Sequence, residues 1–185
     1  MRRRYVTSFH LIPFPADDLP DLEITGMADR IENHLTIHYT INGDVENILL
    51  PRPSAPSRKH DLWKATCFEF FLAIPNQPQY WEFNLSPSGA WNVYVMDAYR
   101  QVNMREETRI KRLQFEVRKE SGRLSLETAL DLNPIIERDK SIEVGISTII
   151  KSVEENESYW ALMHPHAKAD FHSREGFVIE IPGSE

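Results

Sequence analysis

Apolar and polar residues alternate with a period of two in short segments along the whole chain, and this alternation is the strongest constraint on the fold. Turn residues separate the segments: Asn42-Gly43 closes HLTIHYTI, and Ser121-Gly122 lies between LQFEVRK and RLSLETAL. Such pairs favour tight turns between adjacent strands. We predict strands at the following positions: Tyr5–Ile12, Leu22–Thr25, His34–Ile41, Cys67–Ile74, Tyr80–Ser86, Trp91–Met96, Leu113–Lys119, Arg123–Leu130, Ser141–Ile149, Tyr159–Leu162 and Phe177–Ile181.

Helical patterns are short by comparison. Met104–Arg112 and the turn DLNPII are the best candidates, and Pro51–Lys59, rich in proline and serine, predicts a surface loop. A length of 185 residues fits one domain. We therefore predict a single all-β domain over residues 1–185, an antiparallel β-sandwich of jelly-roll or immunoglobulin-like type with about ten strands and little helix.

The charge balance bears on partners and location. A net charge of −7 argues against a nucleic-acid-binding protein, which usually carries a basic patch. No apolar run reaches the roughly 18 residues that span a bilayer, and the residues after Arg2-Arg3-Arg4 do not form the apolar region of a signal peptide. Cys67 is the single cysteine, so no internal disulfide is possible, and its apolar neighbours predict a packed thiol. We expect a cytoplasmic protein with no membrane partner.

An acidic residue interrupts the apolar segment CFEFFL. Phe68, Phe70 and Leu72 share one face of the predicted strand, and Glu69 shares the other face with Phe71. A carboxylate in such surroundings costs several kcal/mol unless it is paired or hydrogen-bonded. Two interpretations follow: a structural ion pair with an arginine such as Arg100, or a functional site.

The next strand adds two polar side chains. If Cys67–Ile74 and Tyr80–Ser86 form a hairpin over the Pro-Asn-Gln-Pro turn, Glu69 lies about 5–8 Å from Glu82 or Asn84 across the strands. Carboxylates accept hydrogen bonds, whereas an amide both accepts and donates. The hairpin therefore predicts a polar group that can hold a ligand with many hydroxyls.

The opposite face of that strand, with Trp81, Phe83 and Leu85, predicts core packing. Trp63 falls on the same side as Glu69 if the preceding strand extends back that far. An aromatic face covers the C–H surface of a flat ligand, and a sugar has such a surface with hydroxyls around its edge.

The segment YWALMHPHAKADFHSREGF contains a second concentration of aromatic and polar residues. A loop of this composition between two strands favours the rim of a binding cleft. The alternative is a solvated loop in which Phe171 closes one end of the sandwich. Its candidate side chains are His164, His166, Lys168, Asp170, Phe171 and His172.

Three stretches, WKATCFEFFL, YWEFNLSPSGAWNVYVMDAYR and YWALMHPHAKADFHSREGF, resemble the DOMON-like domain family of small bacterial proteins, which is related to the family 9 carbohydrate-binding modules. The resemblance extends from SFHLIPFP to the final strand. It implies a β-sandwich of about ten or more strands. It also implies a sugar site in which two aromatic rings enclose a terminal sugar and polar side chains bind its hydroxyls.

The resemblance can be carried over to individual positions. Trp63 and Glu69 match the six-residue spacing of a sugar-stacking tryptophan and a sugar-binding glutamate in those modules, and Phe171 stands where the modules have their second aromatic, a tryptophan. The polar positions on the following strand correspond more loosely. The predicted ligand-binding residues are Trp63, Glu69, Glu82, Asn84, Phe171 and His172. The modules also hold structural calcium, but no oxygen-rich loop with enough ligands is evident here, so we expect no cofactor.

The leading hypothesis is non-catalytic binding of a small carbohydrate or a sugar-like metabolite. Haem binding is an alternative, because other members of the wider DOMON group hold haem between a methionine and a histidine or lysine, although methionine more often fills cores. The residues available for that role are Met96, Met104, Met163 and His164.

Three other interpretations stay open. Glu69 and Glu82 on adjacent strands have the carboxylate pairing of a retaining glycosidase, as do any two glutamates on one face of neighbouring strands. A metal site on His164, His166 and His172 competes with three titrating surface histidines. The domain can also be a structural or protein-interaction module whose cleft holds a peptide or nothing.

Overall fold

The computed structural model describes residues 4–99 and 104–184, and within these ranges the regular structure is almost entirely β-strand. Three short 3-10 turns occur at Val45–Asn47, Leu62–Lys64 and Arg174–Gly176. No helix of the described residues is long and apolar enough to cross a membrane. The strands are β1 Arg4–Pro13, β2 Leu22–Ile31, β3 His34–Gly43, β4 Ser57–Arg58, β5 Cys67–Ala73, β6 Tyr80–Leu85, β7 Ala90–Met96, β8 Arg105–Glu106, β9 Gln114–Glu120, β10 Arg123–Asp131, β11 Ile142–Lys151, β12 Glu157–Ala161 and β13 Ile179–Ile181.

The strands form two sheets that are continuous through β1. The first sheet has the order β1-β2-β3-β10-β9, and the second has the order β4-β7-β6-β5-β11-β12, with β13 beside β11 and β8 beside β7. Most of β1 pairs with β2, but its last two residues, Ile12 and Pro13, pair with β12. Among the described strands only β4 and β7 pair in parallel, over two residues. The predicted all-β sandwich is confirmed.

The main core lies between the two sheets. Tyr39 of β3 is fully buried there, with ring edges against Phe9 at 5.7 Å and Phe68 at 5.1 Å between centroids. Its hydroxyl donates a 2.7 Å hydrogen bond to the backbone carbonyl of Glu69 on β5. Tyr39 therefore links the sheets by packing and by a buried polar contact.

The alternation predicted for the central strands also holds in the structure. Trp81, Phe83 and Leu85 of β6 lie in the main core together with the apolar side chains of β5 that share their face. The other face of these strands is buried as well, because the loop that follows β12 covers it. Phe177 from that loop packs against Phe71 and belongs to a second apolar cluster on this outer face.

The prediction of little helix is confirmed, and two segments differ from their local patterns. Met104–Arg112 is not helical, because Arg105–Glu106 pairs with β7 and Glu107 is buried instead of facing solvent. Burial disfavours the Glu107 carboxylate, but hydrogen bonds from Arg109 and from the Trp81 indole outweigh this effect and hold the Glu107 pKa at about 2. The loop predicted at Pro51–Lys59 contains the short strand β4.

Strand β2 is longer than predicted. We expected it to end at Thr25 before Gly26, but it continues to Ile31. A Cβ on Gly26 would lie 2.0 Å from the carbonyl oxygen of His38 and 2.3 Å from the ring of Phe9. The glycine therefore marks a close approach within the sandwich and not a break in the strand.

Candidate functional site

A cavity of about 410 Å³ lies between the outer face of the second sheet and the loop that follows β12. Five adjacent strands, β7, β6, β5, β11 and β12, each contribute one side chain to its wall. The 3-10 turn before β5, Met104 just before β8 and the C-terminal loop complete the wall. The lining residues are Trp63, Glu69, Glu82, Tyr94, Met104, Ile149, Tyr159, Ala169, Asp170, Phe171 and His172.

This cavity includes five of the six residues predicted from the sequence. The sixth, Asn84, does not line it but is buried beside Glu82 on the same face of β6, where its side-chain Nδ2 donates a 2.7 Å hydrogen bond to Oε1 of Glu82. Asn84 is only 1% exposed. Its position indicates an orienting contact to Glu82 and no direct access to the cavity.

Strand register explains why the two glutamates share the cavity. Glu69 lies opposite Asn84 on β6 and opposite Ser147 on β11, and Glu82 lies opposite Phe71 on β5. Glu69 and Glu82 are therefore diagonal neighbours on one face, an arrangement that places residues about 7–8 Å apart. The predicted hairpin between β5 and β6 brings them there.

Glu69 is nearly inaccessible, at 3% exposure. Its Oε2 accepts a 3.3 Å hydrogen bond from the Ser147 hydroxyl, and among the described residues it forms no salt bridge. Burial, reinforced by the neighbouring charge of Glu82, raises the pKa of Glu69 well above its usual range. Arg100, the proposed ion-pair partner, lies outside the described residues.

Cys67 is fully buried on the same face, as the sequence predicted for a packed thiol. Its Sγ lies 3.7 Å from Oδ1 of Asn84. Burial, together with the charge of Glu69, raises the pKa of the Cys67 thiol well above its usual range. This environment disfavours the thiolate, so Cys67 does not have the surroundings of a nucleophile.

His172 connects the C-terminal loop to the sheet. Its Nδ1 lies 3.0 Å from the Tyr80 hydroxyl, and its Nε2 lies 3.9 Å from Oε2 of Glu82. The backbone N–H of His172 donates to Oδ1 of Asp170, which fixes the turn locally. The loop is thus held over the sheet by polar contacts as well as by the second apolar cluster.

Trp63 is exceptional among the tryptophans. It is 48% exposed, whereas Trp81, Trp91 and Trp160 are 2%, 5% and 3% exposed. The 3-10 turn Leu62–Lys64 carries it to the edge of the cavity, immediately before β5. An exposed indole on a cavity wall is available for stacking against a ligand.

Two tyrosines in the wall were not among the predicted site residues. Tyr94 of β7 lies opposite Glu82 in the register, and Tyr159 of β12 has its ring centroid 6.2 Å from that of Phe171. The period-two pattern of β7 would have placed Tyr94 on the Glu82 face. Tyr159 lies opposite Ile149 because β11 and β12 pair as a hairpin across residues 152–156, and the register of that hairpin would have placed it on the cavity face.

The residues considered for metal or haem binding do not converge. His164 Nε2 lies 2.9 Å from the carbonyl of Ile12, and His166 Nε2 lies 3.0 Å from the hydroxyl of Ser173. Across residues 4–99 and 104–184, no three His, Cys, Asp or Glu side chains are grouped to hold a metal ion. Of the four haem-ligand candidates only Met104 lines the cavity, and Met96 is buried in the second apolar cluster.

Two other hollows have larger volumes but different walls. One, of about 530 Å³, is lined by Asp17, Asp44, Glu154 and their neighbours and contains no aromatic ring. The other, of about 660 Å³, lies along β1, β2 and β3, where Phe9 is 7% exposed. Neither presents an exposed aromatic face next to a buried carboxyl group.

The fold has solved relatives of low sequence identity. A "putative carbohydrate-binding protein" from Bacteroides uniformis ATCC 8492 aligns with a TM-score of 0.64 and 11% identity, over 92% of this chain and 84% of the other. A family 9 carbohydrate-binding module from Caldicellulosiruptor kristjanssonii in complex with glucose aligns with a TM-score of 0.57 and 9% identity, over 91% and 81% of the two chains. A complex of such a module from the same organism with cellotriose gives a TM-score of 0.54 and 9% identity, over 88% and 75%.

Sequence comparisons add nothing to this likeness: no family model and no curated protein matches the chain. The structural similarity covers most of this chain and most of each aligned chain, and so includes both sheets. The chain therefore has the β-sandwich fold of the family 9 carbohydrate-binding modules.

Proposed function

We propose that this protein binds a small carbohydrate in the cavity beside Trp63 and breaks no bond in it. One observation carries the proposal: an exposed indole and two buried carboxyl groups, Glu69 and Glu82, border the same cavity. The volume of about 410 Å³ is within the range of small-molecule sites. Solved proteins of this fold in complex with glucose and with cellotriose support the choice of ligand class.

The aromatic side chains and the carboxyl groups of the cavity would contact different parts of a sugar. Trp63 and Phe171 offer apolar faces for the C–H groups of a pyranose ring. Glu82, oriented by Asn84, accepts hydrogen bonds from hydroxyls. Glu69 retains its proton to a higher pH than an exposed glutamate, so it can donate one hydrogen bond and accept another. Sugar hydroxyls need both kinds of partner.

Tryptophan fluorescence tests the proposal directly. Trp63 is the exposed indole, so a sugar that stacks on it changes its emission and shields it from a soluble quencher. We expect saturable changes with at least one member of a panel of mono- and disaccharides. In Trp63→Phe the signal change should disappear while calorimetry still detects weaker binding, and Trp63→Ala should lower affinity by about tenfold or more, because stacking contributes on the order of 1 kcal/mol.

The control is an exposed apolar residue away from the cavity. Met27 on β2 is 49% exposed, so Met27→Ala should leave affinity unchanged. All three variants alter exposed side chains and should keep wild-type stability to within about 0.5 kcal/mol. Absence of calorimetric heat with every sugar in the panel would reject the proposal.

A further inference from the structure

The charges around the cavity indicate which sugars it accepts. Two buried carboxyl groups line it, those of Glu69 and Glu82, and His172 is the only base among the described lining residues. No lysine or arginine of the described chain forms an ion pair with Glu69 or Glu82. The wall of the cavity is therefore acidic at the place where it is most deeply buried.

A buried carboxyl group without a cationic partner has two ways to avoid the cost of an uncompensated charge. It can keep its proton, which burial favours at Glu69. It can also receive a cation. Glu82 is 5% exposed, and its described partners are the neutral amide of Asn84 and His172 at 3.9 Å. A cationic ligand would supply a permanent counter-charge, whereas His172 supplies one only when it is protonated.

The aromatic side chains favour the same kind of ligand. Four rings, those of Trp63, Tyr94, Tyr159 and Phe171, border the cavity together with the carboxyl groups. The face of an aromatic ring is electron-rich and attracts a cation, an effect of about 0.5–2 kcal/mol depending on solvent exposure. The same faces and carboxylates disfavour an anion. The wall therefore discriminates by charge as well as by shape.

We infer that the carbohydrate bound in this cavity is an amino sugar, a pyranose that carries a protonated primary amine. The inference rests on the proposed function and specifies its ligand class. The apolar faces and hydroxyl contacts would be those of any pyranose, and the ammonium group would neutralise the acidic part of the wall. Sugar acids and sugar phosphates would be disfavoured by the buried carboxyl groups of Glu69 and Glu82.

Calorimetric titration with four matched probes tests this assignment. Glucose, glucosamine, glucuronate and cyclohexylamine would be compared at low salt and about pH 6, where a primary amine is protonated. We expect glucosamine to bind about tenfold more tightly than glucose, and glucuronate more weakly than glucose. Cyclohexylamine, with the charge but no hydroxyls, should bind less tightly than glucosamine.

Substitutions then test whether Glu82 is responsible for the preference for glucosamine over glucose. Glu82→Gln should reduce the ratio of glucosamine to glucose affinity towards one, whatever it does to glucose affinity itself. The matched control is Glu116→Gln, because Glu116 lies on the first sheet and its side chain is 65% exposed, so the ratio should not change.

The outcomes separate the two proposals. Equal affinity for glucose and glucosamine would overturn the amino-sugar assignment and leave carbohydrate binding intact. Binding of cyclohexylamine as tight as that of glucosamine, with no binding of glucose, would overturn carbohydrate binding and identify a simple cation site. Failure of all four probes to bind would overturn the amino-sugar assignment, and carbohydrate binding would be overturned as well if every sugar of the larger panel also failed.

Discussion

At the scale of single residues, Glu69 shows how a glutamate in an apolar strand, where burial of its charge is unfavourable, indicates a candidate site. A glutamate within CFEFFL contradicts the apolar pattern, and the structure buries it to 3% exposure on a cavity wall. Its backbone carbonyl accepts a hydrogen bond from Tyr39 in the main core, while its side chain faces the opposite side of the sheet. One residue thus takes part in both layers of the molecule.

The pKa of Glu69 leads to a prediction about stability. In the unfolded chain it loses its proton near the ordinary glutamate pKa of 4.5, whereas in the folded protein it keeps the proton to higher pH. Above about pH 4.5 the folded state therefore binds more protons than the unfolded state, and the Glu69 contribution to the free energy of unfolding falls as the pH rises. We expect wild type to lose stability relative to Glu69→Gln between about pH 5 and pH 8, as measured by urea unfolding.

Glu116→Gln provides the control for this measurement. The contact with Arg118 lowers the pKa of Glu116, so Glu116 is ionised in both states across that range, and this variant should follow the wild-type pH dependence. A stability difference between wild type and Glu69→Gln that stays constant over the whole range would show that Glu69 titrates as an exposed glutamate does.

Residue patterns predicted the site only in part. Glu69 and Glu82 border one cavity because period two and a hairpin suffice to place them, and these are local properties. Trp63 reaches the same cavity through the 3-10 turn before β5, because the strand does not extend back to it. Asn84 was predicted to contact the ligand but is buried beside Glu82. Side-chain depth depends on the neighbouring strands and the covering loop, which alternation does not describe.

At the scale of elements, β2 shows that a glycine can permit a strand to continue. Gly26 lies where the Phe9 ring and the His38 carbonyl approach too closely for any Cβ. Gly26→Ala should therefore destabilise the protein by about 1–3 kcal/mol, because the ring or the backbone must move. Chemical denaturation measures this loss.

Gly176→Ala is the matched control, because its added Cβ would meet its nearest neighbour, the Met163 carbonyl, at 3.9 Å, an ordinary contact. We expect it to change stability by less than about 0.5 kcal/mol. Equal stability of the two alanine variants would contradict the close approach at β2.

The segment Met104–Arg112, a short helix candidate in the sequence, forms no helix. Its composition permits a helix, but a helix forms in water only when its packing compensates for nucleation. Here Glu107 binds the Trp81 indole and Arg109, and Arg105–Glu106 extends the second sheet beside β7. Contacts with the edge of an existing sheet overrode a weak local preference.

At the scale of the whole molecule, the two sheets act as one unit through their shared core. The Tyr39 hydroxyl is the buried polar link between β3 and β5. Tyr39→Phe removes it with little change of shape and leaves the Glu69 carbonyl without that donor, so we expect a loss of about 1–2 kcal/mol. Thermal unfolding followed by far-ultraviolet and near-ultraviolet circular dichroism should shift together, because both sheets lose the same contact.

The control for this prediction is Tyr159→Phe. The Tyr159 hydroxyl donates to Glu157 in an exposed pair, so its removal should cost less than about 0.5 kcal/mol. A Tyr39→Phe midpoint equal to that of Tyr159→Phe would mean that the link between the sheets contributes nothing to stability.

By itself the sequence determined the all-β fold and the face on which most side chains lie, because alternation and turn residues act between near neighbours in the chain. Tertiary structure decided the pairing of β12 with β1, the burial of the outer face of the second sheet and the depth of the cavity. Those features depend on contacts between segments far apart in the chain, such as His172 with Tyr80 and Phe177 with Phe71. The C-terminal loop packs over five strands and thereby turns a row of polar and aromatic side chains into the wall of one cavity.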